Sequence, residues 1–157
     1  LKESARLVGT DGKRKMIKSL NNYIAVFADE KIIKKQVMSC YTDPNRKKAT
    51  DPGQVEGNPV FTYHQLLNDN KEEVKELENR YRTGTVSDVD VKEKLFQAIL
   101  AKFKKERKLY NELKSNPEKI KSVLKEGANK ACSQSAKKMM EIREKMGITN
   151  KYSTFNY

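Results

Sequence analysis

The chain has 157 residues, with 33 Lys and Arg against 21 Asp and Glu, a net charge of +12, and 36% hydrophobic and 34% charged residues. That size suits one domain with an ordinary core, and that balance favours helices with wet faces over a buried parallel sheet, so the expected fold class is all-α. No apolar run approaches a membrane span, no signal-peptide pattern appears, and Cys40 and Cys132 stand apart without Cys-x-x-Cys spacing; these features argue against a membrane protein, a zinc site and a disulfide scaffold, and point to a soluble chain in a reducing cytoplasm.

The positive excess is a footprint for a polyanion, whether RNA, DNA or an acidic membrane. Its densest stretch is Lys102-Phe103-Lys104-Lys105-Glu106-Arg107-Lys108, but a second short cluster comes early. Gly9-Thr10-Asp11-Gly12 is a turn sequence, and Lys13, Arg14, Lys15 and Lys18 follow it, with Ser19 next. Lys15 and Lys18 are three apart and can point the same way, which suits a polyphosphate. On pattern alone, such a loop is more often simply solvated.

Leu20 to Phe27 reads as an extended link. Asp29 then caps a helix with Glu30 in its first turn, and Ile33, Val37, Cys40 and Tyr41 form its apolar stripe. From Asp43 to Asn58 the periodicity dissolves into a long loop with a basic centre, Arg46-Lys47-Lys48, either functional and mobile or a plain surface connection. Asn58-Pro59 opens a short helix carrying Val60, Phe61, His64 and Leu67 inward, with His64, the sole histidine, expected to pack or cap rather than catalyse. Asn70 starts the next helix (Val74, Leu77 and Tyr81 inward), ended by Gly84.

Ser87 or Asp88 opens a long helix with Val91, Leu95, Ala98, Ile99 and Phe103 on its apolar face, running on through Leu109, Tyr110 and Leu113. Asn116-Pro117-Glu118 stops it and caps the last helix. There Ile120, Leu124, Ala128, Ala131, Ser135, Met139, Ile142 and Met146 form a heptad-like seam, expected to be intramolecular core rather than a dimer zipper. Gly127 is expected to bend or break this helix, and Gly147 to cap it.

Lys15-Met16-Ile17-Lys18-Ser19 resembles the KMSKS loop of class I aminoacyl-tRNA synthetases. The run from Arg6 to Asn22, then Tyr41-Thr42-Asp43-Pro44-Asn45-Arg46, Gly57-Asn58-Pro59-Val60-Phe61 and the segment from Tyr81 to Glu93, extend the resemblance over nearly the whole chain to the bacterial tryptophanyl-tRNA synthetase family. The resemblance implies ATP, with Mg2+, as cofactor, bound through Lys15, Met16, Ile17, Lys18 and Ser19. Lys18 and Lys15 would be the catalytic cations and tryptophan the second substrate. Ile17 departs from the family pattern, which has serine there.

The resemblance further implies three parts: residues 1–28 as the KMSKS-type loop and link, 29–147 as a helical bundle of about five helices that reads the anticodon of tRNA(Trp), and 148–157 as a tail. Lys102, Lys105, Arg107, Lys108, Lys130, Lys137 and Lys138 are the candidates for tRNA phosphates. With no His-x-Gly-His and no Gly-rich strand–turn–helix, the sequence is expected to be the carboxyl-terminal part of such an enzyme, inactive alone and monomeric where the parent is a homodimer. Neither DNA nor a membrane is expected as partner, and no metal site of the chain's own. The competing expectations are a stand-alone basic helical RNA-binding module and a structural bundle whose charge serves solubility.

Overall fold

The structure, a computed structural model, describes residues 7–44, 46, 48 and 50–148. The sequence-based tail beyond Ile148, Arg6, and Asn45 and Lys47 of the long loop lie outside the described residues.

Among the described residues the fold is all-α. Six helices follow in order: α1 (Glu30–Met38), α2 (Pro59–Leu67), α3 (Lys71–Arg82), α4 (Asp88–Lys102), α5 (Lys104–Lys114) and α6 (Pro117–Lys145), preceded by a 3-10 turn over Lys18–Leu20. The sole β-type pairing described is an isolated antiparallel bridge between Val8 and Lys15. The starts are set by side chains that take up orphan N–H groups. Asn58 accepts from Val60 N with Pro59 at the first position, Asn70 accepts from Glu73 N, and Asn116 accepts from Lys119 N. Ser87 and Asp90 form a reciprocal capping box. Asp29 occupies the N-cap position of α1, but its side chain makes no cap bond.

The chain divides between Tyr110 and Asn111 into two compact units. In the first, α4 is the central helix, in contact with α1 and α2, while α3 packs on α2. Ile33 and Val37 of α1, Phe61 and Tyr63 of α2, Leu77 and Tyr81 of α3, and Val91, Leu95, Phe96 and Ile99 of α4 build one core. Truncating Leu95, fully buried, to alanine would cost about 2–5 kcal/mol.

The long loop is not a loose basic connection. Arg46 is buried: its Nε donates to Asp51 O at 2.8 Å, its Nη1 to Asp88 Oδ2 at 3.0 Å and its Nη2 to Val86 O, and its guanidinium lies 4.3 Å from the Tyr81 ring centroid. Tyr81 Oη completes the cluster by donating to Asp88 Oδ1 at 2.8 Å.

The single long helix expected from residue 88 onward is two helices. Phe103 turns (φ −100°, ψ 15°) to pack against the core, and α5 starts after it. The bond from Arg107 N to Phe103 O keeps the two nearly continuous. The link before α1 is a turn over residues 25–28 rather than an extended strand. It is held by Gln36 Oε1 accepting from Ala25 N, and by Arg107 Nη1 donating to Val26 O at 2.6 Å and Ala28 O at 2.8 Å. Phe27 stacks on Tyr110 with ring centroids 5.2 Å apart.

In the second unit, α6 runs unbroken through Gly127 for 29 residues, about 43 Å. The expectation of a buried seam fails among the described residues: α6 has no buried residue, and Leu124 and Met146 are each 66% exposed. The spacing 120, 131, 142 is also an eleven-residue repeat, 3.67 residues per turn, rather than a heptad. The helix buries nothing because no other described element of that unit lies against its seam.

His64 is fully buried and packed, as expected. Its Nε2 lies 2.9 Å from Val91 O and so carries the proton, while Nδ1 faces the Asn68 amide. Burial holds its pKa below the ordinary 6.5. The unfolded chain then binds the proton more readily than the folded one, so stability is full above about pH 6.5 and falls as pH drops below it. The urea midpoint should decrease between about pH 7.5 and 5.5, a window in which carboxylates contribute little, and His64→Gln should flatten that slope; an unchanged slope in the variant would show that other groups cause it.

Candidate functional site

The loop from Val8 to Asn22 is closed at its base by the Val8–Lys15 bridge, with Gly9 N donating to Arg14 O at 2.7 Å and Met16 N to Leu7 O at 2.9 Å. At its tip Asp11 Oδ1 accepts from Lys13 N and Arg14 N, both at 3.0 Å. Those two backbone donors hold the exposed Asp11 carboxyl below the usual carboxylate range.

Asn22, only 3% exposed, fills the middle. Its Oδ1 accepts from Ile17 N at 2.7 Å; its Nδ2 donates to Lys15 O at 3.0 Å and Asp11 Oδ2 at 3.1 Å; and its carbonyl accepts from Thr10 N at 2.9 Å. Gly9 is required beside it, since a Cβ there would lie 2.2 Å from Asn22 Nδ2. The helical core grips the loop from outside: Tyr41 N donates to Thr10 O at 2.7 Å, and Tyr63 Oη donates to Val8 O at 2.5 Å.

The cage consumes the backbone donors of Gly12, Lys13, Arg14, Met16 and Ile17. What it offers outward is side chains. Lys13, Lys15, Lys18 and Ser19 are exposed, and none makes a side-chain hydrogen bond or ion pair with a described residue. Met16 is partly buried against the core, whereas Ile17 is 43% exposed and bonds only through its backbone. Unpaired ammonium groups on a rigid loop form a binding surface for a multiply charged anion such as a polyphosphate.

The basic-helix candidates fall in both units. In the first, Lys102 pairs with Asp69 Oδ1 at 2.5 Å, Lys105 and Lys108 are exposed, and Arg107 is taken up by the Val26 and Ala28 carbonyls. In the second, Lys130 pairs with Glu126 at 2.6 Å, Lys138 with Glu141 at 2.7 Å, and Lys137 is exposed. Exposed pairs of this kind are worth about 0–1 kcal/mol, so these lysines remain available to a stronger anion.

A family model described as tRNA synthetases class I (W and Y) matches residues 4–104. The chain belongs to that family. It is 40% identical to a tryptophan–tRNA ligase of Borreliella burgdorferi over 158 aligned residues, covering 99% of this chain and 44% of the relative, and 41% identical to that of Treponema pallidum over 149 residues, 95% of this chain and 44% of the relative. Among solved structures it is similar to tryptophanyl-tRNA synthetase from Campylobacter jejuni complexed with ADP and tryptophan, with 39% identity and a TM-score of 0.81 over 91% of this chain and 44% of that one. The chain thus spans 44% of the length of each of these class I synthetases.

Sequence reasoning picked out the loop lysines but not the residues that shape the loop. Asn22 and Tyr63 carry no periodic or charge signal, and the spacing placed Tyr41 on a helix stripe rather than against the loop; only the Gly9 and Gly12 pair hinted that something approaches the backbone closely. In an Asn22→Ala chain the Ile17 amide loses its acceptor. Its hydrogen exchange should quicken roughly 5- to 30-fold, the equivalent of about 1–2 kcal/mol, while the Tyr81 amide in the core keeps its protection; equal exchange at Ile17 would show that the cage does not hold the loop.

Proposed function

We propose that this chain supplies the KMSKS-type ATP-phosphate loop and the helical tRNA-binding part of a tryptophan–tRNA ligase. The observation that carries the reading is the Asn22 cage, which presents Lys15 and Lys18 unpaired in a family whose matched relatives are tryptophan–tRNA ligases.

In the proposed reaction the tryptophan carboxylate attacks the ATP α-phosphate and pyrophosphate leaves. Charge accumulates on the leaving group, and ammonium groups placed there beforehand stabilise the transition state more than the ground state. Lys18, opening the 3-10 turn, takes this role; Lys15 assists it and Ser19 supplies a hydroxyl. Mg2+ bound to the phosphates would share their charge. The tryptophan and adenine pockets, and the transfer to the tRNA end, belong to parts of the ligase that this sequence does not include.

The helices of residues 29–147 would then hold tRNA(Trp) near its anticodon, with Lys102, Lys105, Lys108, Lys130, Lys137 and Lys138 on phosphates. Arg107 serves this surface by fixing the link at Val26 and Ala28. The whole ligase would work in the cytoplasm as a homodimer joined outside this region.

In the full-length ligase, Lys18→Ala should lower tryptophan-dependent pyrophosphate exchange by about 10²–10³-fold with little change in the KM for tryptophan; exchange at the parental rate would overturn the reading. Lys137→Ala should weaken tRNA binding and reduce the slope of log affinity against log salt by roughly 0.7–0.9, measured by filter binding across a salt series; an unchanged slope removes Lys137 from the interface.

A further inference from the structure

Among the described residues Lys92 is the one buried lysine, 5% exposed in the first turns of α4. Its ammonium faces three uncharged oxygens: it donates to Met38 O at 3.2 Å, Cys40 O at 2.5 Å and Thr42 Oγ1 at 2.8 Å. No described carboxylate lies within ion-pair distance, and burial lowers its pKa from the ordinary lysine value. Cys40 beside it is not a reactive partner, because burial pushes its thiol up to about 11. A buried charge without a counter-charge is a poor way to stabilise a core, since apolar replacements of buried ions are often neutral. What it provides is direction.

The three oxygens bracket one residue. Met38 and Cys40 carry carbonyls at the end of α1, where helix acceptors lack partners, and Thr42 follows. Between them is Tyr41. Its N–H donates to Thr10 O, and its ring lies against Gly12, where a Cβ would come within 3.0 Å of Tyr41 Cγ. Thr10 and Gly12 are the turn from which the lysine-bearing loop hangs, and Gly12 holds φ +72° there. Lys92 therefore grips the chain on both sides of the residue that grips the loop, by backbone carbonyls before it and by the Thr42 hydroxyl after it, and does so from the central helix.

We propose that Lys92 is a positioning residue for the Lys15–Lys18 loop, its buried ammonium locking residues 38–42 so that Tyr41 holds the Thr10–Gly12 turn at a fixed place over the core. The proposal rests on the reading of that loop as an ATP-phosphate site. It assigns to α4 a direct mechanical connection to the loop, so a movement of α4 is felt at the two lysines.

The test uses the full-length ligase with Lys92→Met, Tyr41→Ala, the double variant, Thr42→Val and Lys18→Ala, read by pyrophosphate exchange with ATP and tryptophan varied separately and by thermal unfolding. Lys92→Met should lose roughly 10- to 100-fold in kcat/KM for ATP, with the KM for tryptophan within about twofold of the parent, a split that loss of stability alone does not produce. Because both residues act through one contact, the double variant should be no worse than Tyr41→Ala alone. Thr42→Val, which removes one acceptor and keeps the shape, should show a smaller loss of the same kind and decides the matter if Lys92→Met does not fold. Multiplying effects in the double variant, or a Thr42→Val enzyme with parental ATP parameters, would overturn the proposal. Full activity in Lys18→Ala would instead overturn the phosphate-site reading, whereas an inactive Lys18→Ala beside a normal Thr42→Val sinks only the role of Lys92.

Discussion

The side-chain amide of Asn22 accepts from the Ile17 backbone and donates to the Lys15 carbonyl and the Asp11 carboxylate, all within the segment that carries Lys15 and Lys18. A surface loop rich in glycine and lysine would otherwise be a flexible chain of like charges, each repelling the next. Three bonds from one buried carboxamide, with Asp11 folded back onto its own turn, convert it into a closed structure whose shape does not depend on the side chains it displays. The rest of the first unit serves that arrangement. Tyr41, three residues beyond the end of α1, and Tyr63, inside α2, reach the loop by hydrogen bonds, so the placement of the cage is a property of the helical core.

The cations of this chain divide into two kinds, and the division explains why net charge alone is a weak guide to function. Arg46, Lys92 and Arg107 are internal fasteners. Each donates to backbone carbonyls that secondary structure has left unpaired: Val86 and Asp51, Met38 and Cys40, Val26 and Ala28. They tie irregular segments to helices. Lys13, Lys15 and Lys18 are the opposite case, held at the surface by a loop whose base, tip and middle are closed by internal bonds, so their charge is left for something outside the chain.

Most of the helical framework was legible from residues because its signals are local. Asn58-Pro59, Asn70, Ser87 with Asp90, and Asn116-Pro117 mark starts by chemistry confined to four residues, and the stripes of α3 and α4 lie where the 3.6-residue period puts them, as do Ile33 and Val37 of α1, whereas Cys40 and Tyr41 fall beyond the end of that helix at Met38. The failures are non-local. No helix signal ends at Phe103; the turn there follows from the core taking in its ring. Arg46 looked like the centre of a basic loop because nothing in its neighbourhood announces Asp88, 42 residues away, as its partner. The α6 seam was read correctly as a stripe, but a stripe states only that one face is apolar, not that the described chain covers it. The site divides the same way: Lys15 and Lys18 belong to a recognisable string, whereas Asn22 matters through bonds that reach back five to eleven residues.

Ile17 shows what the cage permits. It stands in the middle of the loop where the resembled pattern has a hydroxyl, yet its side chain is exposed and its bonds are made by its backbone, from its amide to Asn22 and from Leu20 N to its carbonyl. A change from serine to isoleucine at such a position leaves the closed backbone as it is, because no internal contact used the side chain. Its effect falls entirely on what the loop presents outward: one hydroxyl donor fewer and one branched apolar group more. Lys13, Lys15, Lys18 and Ser19 then carry the polar chemistry that the loop presents outward. Their geometry is inherited from the buried amide beneath them, so the sequence here can drift at the face that meets a ligand while the loop stays in place.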